Sequence, residues 1–206
     1  MRKAGWTGAF LGAAALIAFA AATPGAAGSL PSASFAPTGD TTSVPYGWVD
    51  FCRRYAGECE TGGAVRDIRL SAKTYKTIVS INKWVNSNIE PMSDMLHWGV
   101  VDRWDYPNDG KGDCEDYLLL KRKMLMEEGF PRSALLVTVV KDKKGEGHAV
   151  LTVKTDRGEF ILDNMTDKIV SWDKTGYRFV KRQSQDNPNV WVSIGEPTEA
   201  PAYVSR

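Results

Sequence analysis

Apolar residues recur at helical spacing in two stretches of the chain and at strand spacing in several others. Over residues 71–88, Tyr75, Ile78, Val79, Asn82 and Val85 form one stripe flanked by Trp84, which predicts an amphipathic helix. A second helix is predicted from Cys114 to about Glu128. Tyr117, Leu118, Leu120, Met124 and Leu125 make its apolar side, Asp113 stands at the N-cap, and Gly129 with Pro131 ends it. The period then changes. Residues 134–141 are a β-prone apolar run, and 148–154 and 159–163 alternate around the turn composition Thr155-Asp156-Arg157-Gly158. Residues 177–182 and 190–194 read as two further strands, separated by the polar stretch 184–189. Helices followed by hairpin-linked strands describe an α+β fold in which the second helix packs on an antiparallel sheet.

The amino terminus follows a different pattern. Arg2 and Lys3 precede an apolar run from Ala9 to Ala22, and small residues follow to Ala27. That is the order of a signal peptide over residues 1–27, too short in its apolar part to span a bilayer as a helix. Export is therefore expected, with no stable membrane insertion after cleavage. Residues 28–43, rich in Ser, Ala, Pro, Gly and Thr, are expected to be a flexible linker, and 44–206 to form one domain.

Charge is balanced, with 26 basic and 25 acidic residues giving +1. Losing Arg2 and Lys3 with the signal peptide would bring this to −1, which leaves no electrostatic footprint for nucleic acid. The three cysteines divide unevenly. Cys52 and Cys59 can close a small loop by a disulfide in an oxidising compartment, whereas Cys114 is left over, among charged and turn-forming neighbours. An odd thiol in that setting reads as a nucleophile.

A thiol nucleophile needs a base, and the chain has only two histidines, His97 and His148. His148 opens a strand, so rigid backbone holds its imidazole at a sheet end. His97 lies in the connecting segment and is expected to be structural or exposed. If the turn at 155–158 joins adjacent antiparallel strands, Asp163 falls opposite His148 or within two residues of it. A carboxylate there fixes the imidazole tautomer and stabilises the imidazolium. Cys114, His148 and Asp163 are thus the expected catalytic triad.

At the first turn of its helix the Cys114 sulfur meets the positive end of the helix dipole, which favours the thiolate. Asp113, Glu115 and Asp116 oppose it by like charge. Two readings fit these acids: they cap the helix, with Asp113 and Asp116 at capping-box spacing, or a hard cation holds some of them. Asp105, Asp109, Gly110 and Asp116 follow an EF-hand-like frame only weakly, since Pro107 occupies its third position. Trp98, Trp104 and Trp191 could line a groove, though burial is the commoner fate of tryptophan. The Trp104 indole is a second oxyanion donor to test, beside the Cys114 backbone N–H.

The runs Gly112-Asp113-Cys114-Glu115-Asp116-Tyr117, Gly129-Phe130-Pro131, His148-Ala149-Val150 and Leu162-Asp163-Asn164 resemble the bacterial transglutaminase-like cysteine peptidases. These form a periplasmic branch of the papain-like/transglutaminase superfamily. The resemblance implies a papain-like/transglutaminase-like core, with Cys114 as nucleophile, His148 as general base and acid, and Asp163 as its orienter. It further implies a protein substrate, of the cell-surface or exported kind, and calcium as cofactor. Carried over by position, the calcium candidates are Asp113, Glu115 and Asp116. Two alternatives remain open: acyl transfer to an amine in transglutaminase fashion, and a calcium-responsive binding module without catalysis.

Overall fold

The computed structural model describes residues 29–195 and 200–204, together with Met1 and Gly5. The expected signal peptide, those two residues apart, lies outside the described residues. In chain order the elements are β1 (Thr38–Thr42), α1 (Tyr46–Arg54), α2 (Ala72–Asn88), β2 (Glu90–Pro91), α3 (Asp94–His97), β3 (Lys111–Gly112) and α4 (Cys114–Glu127). Then come β4 (Leu135–Lys141), β5 (Gly147–Thr155), β6 (Gly158–Asp163), β7 (Thr166–Ser171), β8 (Arg178–Gln183) and β9 (Trp191–Ile194). A seven-stranded antiparallel sheet runs in the order β1-β9-β8-β4-β5-β6-β7, and β2 and β3 form a separate parallel pair.

Both predicted helices and all five predicted strands are present. Ser71 caps α2 through a reciprocal box: its hydroxyl accepts the Thr74 amide at 3.1 Å, while the Thr74 hydroxyl accepts the Ser71 amide at 2.8 Å. Asn82 and Asn86, inward-facing polar residues of α2, grip the sheet rather than filling an apolar stripe. The Asn82 amide reaches the Thr166 and Asp167 carbonyls, and that of Asn86 reaches the Asp163 carbonyl at 3.0 Å. Helix α2 thus fastens the β6–β7 turn that follows Asp163.

The helices cover one face of the sheet. There Leu118, Leu119, Leu125, Val137, Leu151 and Leu162, all nearly inaccessible, pack with Trp48, Phe51, Trp104 and Trp191. Each such side chain contributes roughly 1.5–3 kcal/mol of burial. The opposite face carries a smaller cluster of Val140, Val150, Ile161 and Phe179.

The segment expected to be a flexible linker is instead bound to the sheet. The Ala33 amide donates to the Arg157 carbonyl at 2.8 Å, the Glu159 amide to the Ser34 carbonyl at 3.1 Å, and β1 pairs with β9. Its composition is that of a linker because β1 is an exposed edge strand, which needs no buried apolar residue. A Cys52–Cys59 disulfide joins the end of α1 to the turn after it. Among the described residues, no helix is long and apolar enough to cross a membrane.

Candidate active site

The sheet register brings His148 and Asp163 together. Leu151 faces Leu162 across β5 and β6, so the next step of the ladder sets Asp163 level with Val150, two residues from His148. His148 Nε2 and Asp163 Oδ1 are 3.0 Å apart, both side chains nearly inaccessible. The Asp163 carboxylate has two more donors: the Met165 amide on Oδ1 at 3.0 Å and the Tyr177 hydroxyl on Oδ2 at 2.6 Å. The Tyr177 ring also meets the imidazole edge-on, at 5.6 Å between centroids. Tyr177 read in the sequence only as the start of a strand. Its role depends on the path through β7 and the following turn, which no local pattern displays.

Cys114 is the first residue of α4, a free thiol with 1 % of its surface exposed. Its side chain is close enough to His148 to bias the imidazole toward its protonated form. Burial alone would push His148 down, but hydrogen bonding to Asp163 and the neighbouring Cys114 outweigh it and raise the group to about 10. Nδ1, the ring nitrogen turned away from Asp163, is buried and makes no regular hydrogen bond with any described residue. Burial also works against the Asp163 carboxylate, yet the His148, Met165 and Tyr177 donors hold it below its usual range. Beneath this pair Lys121 of α4 is buried. Burial lowers its amine to about 7, against the pull of Asp163 and Asp167.

A second polar group surrounds the sulfur on its other side. The thiol donates to Glu115 Oε2 at 3.0 Å. Glu115, Asp113 and Asp94 each offer an oxygen within 4.8 Å of the others, and all three residues are buried. Asp94 lies far upstream, and the parallel pairing of Glu90 with Lys111 and Pro91 with Gly112 carries it to this point. Its amide donates to Asp113 Oδ2 at 3.1 Å. The Asp113 carboxylate is therefore turned toward Asp94 and makes no side-chain cap bond to its own helix, so only the other half of the capping box is present: the Asp116 carboxyl accepts the Asp113 amide. Of the expected cation ligands, Asp116 stands outside this group. Its Oδ1 accepts the Asp105 amide at 2.7 Å, and a Cβ at Gly112 would lie 2.5 Å from its Oδ2. A glycine at 112 is what lets the chain pass so close to Asp116.

Burial, with added repulsion among these acids, raises Glu115 well above the usual carboxylate range. Burial likewise takes Asp116 to about 9 and Asp94 to about 6, despite the amide bonds each accepts. Three buried carboxylates this close demand protons or a cation. The donors are all hard oxygens, and Asp94 Oδ1 and Glu115 Oε1 lack hydrogen-bond partners among the described residues. Such a set fits calcium or magnesium rather than a soft metal.

The EF-hand-like frame does not assemble. Asp109 pairs with His97 at 2.8 Å, which makes His97 structural. Asp105 is held by Arg54 and the Tyr55 hydroxyl. Trp104 and Trp191 are fully buried, and the Trp104 indole donates to Asp102 at 3.0 Å, so it is not free as an oxyanion donor. Only Trp98 of the three is exposed, in a segment with Met95, Leu96, Val100 and Val101 that also face solvent. The Asp94 carboxylate closes the base of that segment by accepting the Arg103 amide.

The chain is similar to the calcium-bound structure of Legionella pneumophila LapG, with 22 % identity and a TM-score of 0.50 over 61 % of this chain and 74 % of LapG. A second LapG structure has 24 % identity and a TM-score of 0.50, covering 58 % of this chain and 68 % of its own. These likenesses bear out the transglutaminase-like fold. No curated protein matches the chain. Residues 38–199 match the model of the bacterial transglutaminase-like cysteine proteinases, BTLCP, and the chain belongs to that family.

Proposed function

We propose that the protein is a periplasmic thiol peptidase that cleaves amide bonds of an exported or cell-surface protein, using Cys114, His148 and Asp163. The observation that carries this reading is the buried His148–Asp163 pair beside a free thiol at a helix N-terminus. Asp163 holds Nε2, which leaves Nδ1 to take the thiol proton. The sulfur attacks the substrate carbonyl, and the backbone N–H of Cys114, in the first turn of α4, faces the developing oxyanion. The imidazolium then protonates the leaving amine as the C–N bond breaks. Water, deprotonated by the same imidazole, hydrolyses the thioester and returns the thiol. Tyr177 is a positioning residue: it holds the second oxygen of Asp163 and so fixes the plane of the carboxylate.

Calcium is the proposed cofactor, held by Asp94, Asp113 and Glu115. The buried oxygen-only donor set supports it, as does the calcium-bound state of LapG. Bound there, the cation would take up the carboxylate charge beside the sulfur. The charged and then apolar order of residues 1–27 supports export.

The test is a comparison of exported proteins from cells carrying the wild-type chain or Cys114→Ala. The expected result is a set of cleavage fragments that vanish in the variant. Identical fragment patterns, with both proteins folded and exported, would exclude a peptidase role for Cys114. Supplying an amine to the wild-type reaction separates hydrolysis from transfer: the expected product carries a free carboxylate.

A further inference from the structure

The end of β5 that carries His148 is covered by another part of the chain itself. Residues 200–204, Ala-Pro-Ala-Tyr-Val, lie against it, and three observations fix their path. The first is at Gly147, the residue before His148. A Cβ built there would meet the Tyr203 carbonyl oxygen at 2.3 Å and Pro201 Cβ at 2.9 Å. Backbone therefore lies on backbone where no side chain can stand. The second is one residue further on, where the Val204 amide donates to Asp102 Oδ1 at 3.4 Å. Asp102 in turn feels the charge of Asp113, the residue before Cys114. The third is the burial of Val204, 4 % exposed, in the apolar cluster that contains Cys114, Trp104 and Val139.

The segment thus lies between Gly147, which precedes His148, and Asp102, which feels the charge of Asp113, the residue before Cys114. Meanwhile Cys114 is 1 % exposed and His148 0 %. A peptide carbonyl cannot reach a sulfur with no open surface, so some part of what buries the pair must move before acyl transfer.

We propose that the groove these residues fill beside Gly147 is the subsite for one strand of the substrate, and that residues 200–204 occupy it in cis until displaced. The proposal rests on the reading of Cys114 as nucleophile. The chemistry of the groove defines the substrate class. The tightest contact at Gly147 is the Tyr203 carbonyl, so main chain there selects an extended conformation rather than a sequence. The apolar recess taken by Val204 selects a side chain of about that size. The groove therefore favours an extended segment of small and apolar residues. One buried side chain and one long hydrogen bond hold five ordered residues only weakly, as a displaceable occupant requires.

The experiment measures the rate of Cys114 alkylation by iodoacetamide in the full chain, in a chain lacking residues 200–206, and in Gly147→Ala. A segment that closes the groove nine-tenths of the time lowers the rate about tenfold, so the deletion should raise it by that factor. The synthetic peptide Ala-Pro-Ala-Tyr-Val, added in trans, should slow alkylation of the deleted chain again. Gly147→Ala should also react faster, because its methyl evicts the segment, yet gain no protection from the peptide, because the methyl narrows the groove. If the deletion melts at a much lower temperature, Val204→Gly in the full chain replaces it, with the same expected direction. Equal alkylation rates in all folded variants, without protection by the peptide, would overturn the proposal. If that happens while Cys114-dependent fragments persist, the peptidase reading stands and the groove falls. Accelerated, peptide-protected alkylation with no such fragments keeps the groove and removes the peptidase.

Discussion

Replacing Asp163 by Asn removes the charge that keeps His148 protonated inside the fold, and the consequence can be followed through pH. His148 is raised from 6.5 to about 10 in the folded protein. A raised group stabilises the fold fully below its unfolded value and loses that contribution as pH climbs to the folded one. Each pH unit inside the window changes stability by about 1.36 kcal/mol. The whole window therefore bounds the His148 contribution at roughly 5 kcal/mol, an upper limit for so deeply buried a pair. Lys121 acts in the opposite sense. Lowered to about 7 from 10.5, it makes the fold gain stability with pH over much of the same range, so the wild-type profile alone would look flat. The difference between wild type and Asp163→Asn separates the two. The His148 contribution vanishes in the variant, and the Lys121 amine, without the Asp163 charge, falls further. Both changes make the stability difference shrink as pH rises from 6.5 toward 10. Urea unfolding of both proteins at intervals from pH 6 to 9 measures it. A stability difference that stays constant across that range would refute the charge assignment of the pair. Activity should fall by about 10²–10⁴ at neutral pH, the usual worth of a positioned acid–base group.

Tyr177→Phe loses the 2.6 Å bond to Asp163, worth about 1.5–3 kcal/mol for a charged acceptor. It should lower kcat and shift the pH profile while KM stays near wild type, and an unchanged profile would remove Tyr177 from the positioning role. Asp94→Asn takes one oxygen ligand from the acid cluster. It should stabilise the calcium-free protein and weaken calcium binding, read as a smaller rise in Tm on adding calcium; a rise equal to wild type would put the cation elsewhere. Reducing the Cys52–Cys59 bridge should cost about 2.5 kcal/mol by the chain-entropy relation for so short a loop, seen as a lower Tm with reductant.

What the sequence displayed and what it hid differ in physical kind. Strands β4, β5 and β6 were legible because they are buried nearly throughout, so apolar, β-prone residues dominate them. The His148–Asp163 pairing followed from one turn and an antiparallel register. Edge strands escaped: β1 is wholly exposed, and β7 is only partly covered, so neither needs an apolar pattern. Helix α1 is short, and its anchors Trp48 and Phe51 sit among polar neighbours. Asp94 was missed because its partnership with Asp113 and Glu115 depends on the two-residue pairing of β2 with β3, too brief to leave a signature. The linker composition of 29–43 reflected exposure, not freedom.

The bond from the Arg103 amide to the Asp94 carboxylate has a consequence for divergence among such proteins. Residues 95–101 leave the body at Asp94 and return beside Arg103, so exposed Leu96, Val100 and Val101 can be exchanged while this staple and the His97–Asp109 pair keep the surroundings of Cys114 in place. Change at that apolar tip is thereby uncoupled from the His148–Asp163 pair.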